Sequence, residues 1–102
     1  MYLRVLNFKF PNELAKKSVI ALTRNTTQDQ FKNGLLMRLH ADVSQNISVA
    51  VLLWRSKKDF EEAYKVFGSK FIADMKELGT IVTTNEGPAE VDKAKEINFS
   101  KF

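Results

Sequence analysis

From Tyr2 to Phe10 the side chains alternate in two rows, Leu3-Val5-Asn7-Lys9 and Tyr2-Arg4-Leu6-Phe8-Phe10, which is the period of a β-strand. Pro11 closes that segment and suits the first turn of a helix. Beyond it the period changes. Leu14, Ala15, Ser18, Val19 and Leu22 fall on one helical stripe, and Asn12 is placed to cap its N-terminus. Asn25-Thr26-Thr27 weakens the helical pattern, Asp29 to Lys32 could extend it, and Asn33-Gly34 is the stop. Alternation returns over Leu35 to Val43, with Leu35, Met37, Leu39, Ala41 and Val43 on one face and Leu36, Arg38, His40 and Asp42 on the other. Ser44-Gln45-Asn46 is short enough to demand an antiparallel return, so Ile47 to Trp54 makes a hairpin with the segment before it.

Both rows of that return strand are apolar, which is the pattern of a strand covered on two faces. After it Ser56 stands three residues before Asp59, the spacing of a helix capping box with Asp in place of the commoner Glu or Gln. Phe60, Ala63, Tyr64, Phe67, Phe71, Met75 and Leu78 continue as a helical stripe, with Gly68-Ser69 predicting a break into two pieces. Gly79 ends it, and Thr80 to Thr84 forms a last strand stopped by Asn85-Glu86-Gly87-Pro88. The order β-α-β-β-α-β predicts an α+β, ferredoxin-like sandwich: one antiparallel sheet with two helices on one face. A single domain then spans residues 1–87, and residues 88–102 form a C-terminal tail in which Ile97, Phe99 and Phe102 could dock. The face without helices would be largely apolar, with Leu6, Phe8 and Phe10 adding to it. A second copy of the sheet would cover it, which predicts a homodimer closing into an α+β barrel.

Composition narrows the function classes. A chain of 102 residues with 44% hydrophobic content suits one packed domain. It has no cysteine, which excludes disulfides, thiolate nucleophiles and cysteine-based metal sites and favours a cytoplasmic setting. No signal peptide is visible at Met1-Tyr2-Leu3-Arg4-Val5, and no window approaches the roughly 18 apolar residues of a membrane span. The net charge of +4 is dispersed among acidic neighbours, so a solvated surface is the simpler reading than a nucleic-acid patch. RNA-recognition motifs share the predicted topology, but Ile47 to Trp54 lacks their basic-Gly-aromatic signature. There is no phosphate-cradling glycine loop and no serine-nucleophile motif.

The strand-to-helix text Val51-Leu52-Leu53-Trp54-Arg55-Ser56-Lys57-Lys58-Asp59-Phe60 resembles the dimeric α+β-barrel superfamily, especially antibiotic-biosynthesis-monooxygenase-like proteins, which show a Trp, a Ser and an aromatic residue at this junction. The resemblance covers about residues 2–87. It implies the same element order, a broken second helix, a dimer, and a pocket in each subunit between sheet and helices. The superfamily includes oxygenases, isomerases, haem-degrading enzymes and proteins without known activity, so it implies no single reaction. Its haem-degrading members use an Asn on the first strand, a Trp on the second helix and a His later on that helix. Asn7 matches the first, whereas Ala63, beside Tyr64, and Ala73, beside Asp74, stand at the other two positions. The resemblance therefore implies no haem and no other cofactor.

Candidate chemistry rests on few residues. Asn7 shares a row with Leu3 and Val5, which predicts an amide directed to the helix-side interior. There it either orients a substrate carbonyl or oxyanion, or pairs with nearby backbone or a helix side chain. His40 is the one histidine, and Asp42 on its row could orient it as a base. The simpler reading is an exposed edge or dimer-interface row, and one histidine without cysteine makes no recognisable metal site. Trp54, Tyr64, Phe67 and Phe71 are most simply core; functionally they could line a pocket for a planar apolar ligand, with the Tyr64 hydroxyl as a polar handle. If Arg4 and Arg38 face inward they need a carboxylate, and Asp42 is the nearest candidate. Two functions fit: a homodimer that binds a small apolar or aromatic molecule and could oxygenate it without a cofactor, or a non-catalytic ligand-binding or regulatory dimer.

Overall fold

The computed structural model describes residues 1–95, so Ile97, Phe99 and Phe102 lie outside the described residues. Six elements follow in order: β1 (Tyr2–Lys9), α1 (Glu13–Phe31), β2 (Leu35–Ser44), β3 (Ile47–Trp54), α2 (Lys57–Glu77) and β4 (Ile81–Pro88). The strands form one four-stranded antiparallel sheet in the order β2-β3-β1-β4, which is the ferredoxin-like arrangement expected from the alternation pattern. No helix among the described residues is long and apolar enough to cross a membrane.

Local chemistry accounts for the helix starts. The Asn12 side chain accepts from the Ala15 N–H at 2.8 Å, and the Ser56 hydroxyl accepts from the Asp59 N–H at 3.1 Å. The second half of the expected capping box is absent, because Asp59 turns its carboxylate to the Arg55 guanidinium at 2.7 Å instead. Gly34, at φ +105°, is required beside this junction: a Cβ there would meet the Asp59 side chain at 2.7 Å.

Both helices run unbroken through the positions where their sequences suggest a weakening or a break. Thr26 and Thr27 do not end α1, because each hydroxyl donates to a carbonyl one turn back, Leu22 and Thr23, and the helix absorbs them. Gly68 does not break α2. The Tyr64 ring lies over it, and a Cβ at Gly68 would come within 2.6 Å of that ring, so the small residue serves packing rather than a kink. Leu14, expected on the buried stripe of α1, is 75% exposed; Ala15, Val19 and Thr27 are the buried positions.

Three further differences change which side chains meet. Strand β4 continues through Asn85-Glu86-Gly87 to Pro88, pairing Glu86 with Arg4 and Pro88 with Tyr2. Its place at the sheet edge is what tolerates the proline. A bulge between Leu35 and Met37 puts Leu35 opposite Trp54 on the helix side, while Met37 and Leu39 stay on the outer side. Finally, the row of β1 that faces the helices is Tyr2, Arg4, Leu6 and Phe8, the reverse of the expected orientation. Tyr2, Leu6, Phe8, Ala50, Leu52 and Trp54 form the buried core with Val19, Phe60, Ala63 and Met75. Leu3, Val5 and Asn7 stand on the other face, opposite Leu53, Val51 and Val49.

Candidate functional site

Where α1 and α2 diverge over the sheet, a cavity of about 60 Å³ remains. Its floor is Leu6, Phe8, Ala50 and Leu52, and its aromatic wall is Trp54, Phe60, Tyr64, Phe67 and Phe71. The α1 side contributes Thr23, Thr26, Thr27 and Gln30, and the strands contribute Arg4 and Arg38. A cleft of about 350 Å³ between α2 and β4 shares Arg4, Leu6, Tyr64 and Phe71 with it. Those side chains are therefore the partition between two spaces. The cavity is smaller than the roughly 150 Å³ that accepts benzene in an engineered core. Tyr64 is the partition's most accessible part at 38% exposure.

Arg4 is held from several sides. Its guanidinium carbon lies 4.5 Å from the centre of the Phe60 ring and 5.6 Å from that of Tyr64, so it is stacked as a cation over aromatic faces. Glu86 approaches its Nε at 3.7 Å and also accepts the Tyr2 hydroxyl. Burial lowers the Arg4 pKa and the Glu86 charge opposes that shift. Hydrogen bonding to the Glu86 carboxylate raises the Tyr2 phenol. The Arg4–Glu86 pairing was not visible in the sequence, since Glu86 sits in a stretch that reads as a turn.

Arg38 is held differently. It donates to the Thr23 hydroxyl at 3.1 Å, and that hydroxyl in turn donates to the Ile20 carbonyl. Burial lowers its pKa, and the nearby Arg24 lowers it further. Asp42, the carboxylate expected to neutralise it, is taken by Lys16, which also donates to the Ser44 carbonyl at 2.9 Å.

No hydrogen bond joins His40 to Asp42, the carboxylate that its row offered as an orienting partner. His40 pairs with Ala50 across the β2–β3 ladder, so it faces α1 rather than an outer dimer row. Its Nε2 is buried without a partner among the described residues, and its pKa is lowered first by burial, then by Arg38 and Arg24. It does not line the cavity.

Of the other anticipated site residues, Trp54, Tyr64, Phe67 and Phe71 converge on the cavity and Asn7 does not. Asn7 is on the outer sheet face because its row in β1 is the one turned away from the helices, and it pairs with Val49 and Thr83. The haem-degrading constellation consequently has no member in the cavity, with Asn7 outside it and alanine at positions 63 and 73. Among the described residues no three His, Cys, Asp or Glu side chains converge as a metal site requires.

The fold places the chain among known structures. No family model matches its sequence, and no curated protein matches it. A candidate antibiotic biosynthesis monooxygenase from Deinococcus radiodurans superposes with a TM-score of 0.75 at 16% identity, covering 96% of this chain and 99% of its own. SnoaB, a cofactor-independent oxygenase from Streptomyces nogalater, gives 0.71 at 17% identity, with 87% of this chain and 92% of its own covered. A dimeric ferredoxin-like protein from an uncultured marine organism gives 0.70 at 15% identity, over 93% of this chain and all of its own. The fold is thus that of the antibiotic-biosynthesis-monooxygenase-like proteins.

Proposed function

We propose that this chain forms a homodimer in which each subunit holds a small, mostly apolar or aromatic molecule between its sheet and its helices, and oxygenates it without a cofactor. The observation that carries the reading is the aromatic-walled cavity, whose partition at Tyr64 and Phe71 leads into a second cleft. The likeness in fold to a cofactor-independent oxygenase supports the reaction class. The dimer is supported by the outer sheet face: Met37, Leu39, Ile47 and Ile81 are exposed there beside half-buried Leu3, Val5, Val49, Val51 and Leu53. Asn7 on that face belongs to the proposed interface rather than to ligand binding.

Oxygenation without a cofactor draws its electrons from the substrate, so electron-rich phenols and quinols are the class to test. His40 stands outside the cavity lining, which favours a second reading, a non-catalytic ligand-binding or regulatory dimer. An oxygen-electrode screen of quinols and phenols, paired with calorimetric binding, separates the two. Substrate-dependent oxygen uptake that falls at least about tenfold in Tyr64→Ala supports oxygenation. Binding with no oxygen uptake supports the second reading, and absence of binding by any member overturns both.

A further inference from the structure

Across the four strands at one level of the sheet stand Arg38, Leu52, Arg4 and Glu86, each opposite the next in the hydrogen-bonded ladder. With strands about 4.8 Å apart, the two arginine backbones are roughly 10 Å from each other, with Leu52 between them. Both line the helix-side cavity. Their charges are compensated unequally. Arg4 has Glu86 and two aromatic faces. Arg38 has a single neutral hydroxyl, that of Thr23, and no carboxylate among the described residues. A guanidinium carries five N–H donors in a planar fork, so Arg38, with one protein acceptor, keeps donors for a further partner.

The unpartnered buried atoms of the lining lean the same way. They are Arg4 Nε and Trp54 Nε1, and both are donors. Trp54 is only 2% exposed, so its indole N–H has no ready access to solvent. The α1 hydroxyls of Thr23, Thr26 and Thr27 direct their protons to carbonyls of their own helix and keep only lone pairs free, one of which at Thr23 already accepts from Arg38. A half-buried cation with spare donors, set beside an apolar floor, stabilises an oxyanion far more than a neutral oxygen, because water competes weakly there.

We propose that the ligand of this cavity is an aromatic oxyanion, an aromatic carboxylate or an ionised phenol, whose ring lies over Leu52 and whose charged group is received by Arg38. The inference rests on the ligand-binding reading above and adds its charge and orientation. Arg38 sets specificity here by direct contact with the ligand, and Arg4, already neutralised by Glu86, contributes less to the preference.

The test is calorimetric titration at pH 7.5 with 2-naphthoate and with 2-naphthamide, which share a ring and differ in charge, plus 2-naphthol and its more acidic nitro derivative for the phenol arm. Wild-type protein should bind 2-naphthoate at least about tenfold more tightly than 2-naphthamide. Arg38→Gln should remove that preference while leaving 2-naphthamide affinity within about threefold, and Arg38→Lys should restore part of it. A nitronaphthol that outcompetes 2-naphthoate assigns the oxyanion to phenols, and the reverse assigns it to carboxylates. Equal affinity of wild type for 2-naphthoate and 2-naphthamide overturns the inference and leaves the cavity reading intact, as does a preference that survives in Arg38→Gln. If no naphthalene ligand binds at millimolar concentration, the cavity reading itself fails and the inference falls with it. The wild-type comparison needs no variant, so a poorly folded Arg38→Gln does not rescue the idea.

Discussion

The two faces of the sheet are almost equally apolar in sequence, yet only one of them is a finished core. On the helix side Tyr2, Leu6, Phe8, Leu35, Ala50, Leu52 and Trp54 are buried. On the outer side the β3 residues Val49, Val51 and Leu53 are half-buried, and Leu39 on the neighbouring edge strand remains 56% exposed. The difference is one of cover. Two helices supply Val19, Phe60, Ala63 and Met75 to one face, and within the chain nothing described supplies the same to the other. A helix-side change should therefore unfold the protein, and an outer-face change should dissociate the proposed dimer and leave each subunit folded.

Trp54→Ala gives the largest expected effect. Its ring fills the junction of sheet and α2, packed edge-on against Phe60 at 5.9 Å between centres. Truncation should cost about 3–5 kcal/mol in a urea-unfolding measurement. A loss under about 1 kcal/mol would mean that this face is less tightly built than its burial indicates. Next comes Leu39→Lys, which places a charge on the exposed β2 side of the outer face. Light scattering should show the dimer dissociating at concentrations roughly a hundredfold higher than for wild type, while far-UV circular dichroism stays unchanged. An unaltered mass profile would remove the sheet-to-sheet interface from consideration.

The smallest effect is expected at His40, which lies on the helix side and answers to pH. Burial first, then Arg38 and Arg24, lower its folded pKa below the usual value of about 6.5; Asp42 on its own strand opposes this and Lys16 on α1 adds to it. The unfolded chain therefore binds the proton more readily than the folded one. The His40 contribution to stability is complete above pH about 6.5 and is lost as pH falls toward the lowered folded value. His40→Gln should flatten the fall in melting temperature between pH 7 and 6. A slope identical to that of wild type would show that other groups govern that window.

Much of the fold is legible along the chain because its signals are local. Alternation in Tyr2 to Phe10 and Leu35 to Val43, the caps at Asn12 and Ser56, and the short Ser44-Gln45-Asn46 connection each depend on neighbours within a few residues. The aromatic half of the candidate site followed from the α2 stripe, since helical spacing places Phe60, Tyr64, Phe67 and Phe71 on one side without reference to anything distant. The polar half was less visible. Glu86 meets Arg4 only if β4 runs past Asn85, and Asp42 meets Lys16 only once α1 lies over β2.

The sequence by itself determined the order and type of the six elements, the helix starts and the existence of an apolar seam between sheet and helices. Only the tertiary structure decided which row of β1 looks inward, and with it that Arg4 lines the cavity and Asn7 does not. The physical reason is that alternation carries a period but no sign. With Leu3 and Val5 on one row and Leu6 and Phe8 on the other, both orientations bury apolar surface. The choice rests on the whole packed layer: Trp54 and Leu52 across the ladder, the bulge that turns Leu35 inward, and the aromatic faces of α2 that receive the Arg4 guanidinium.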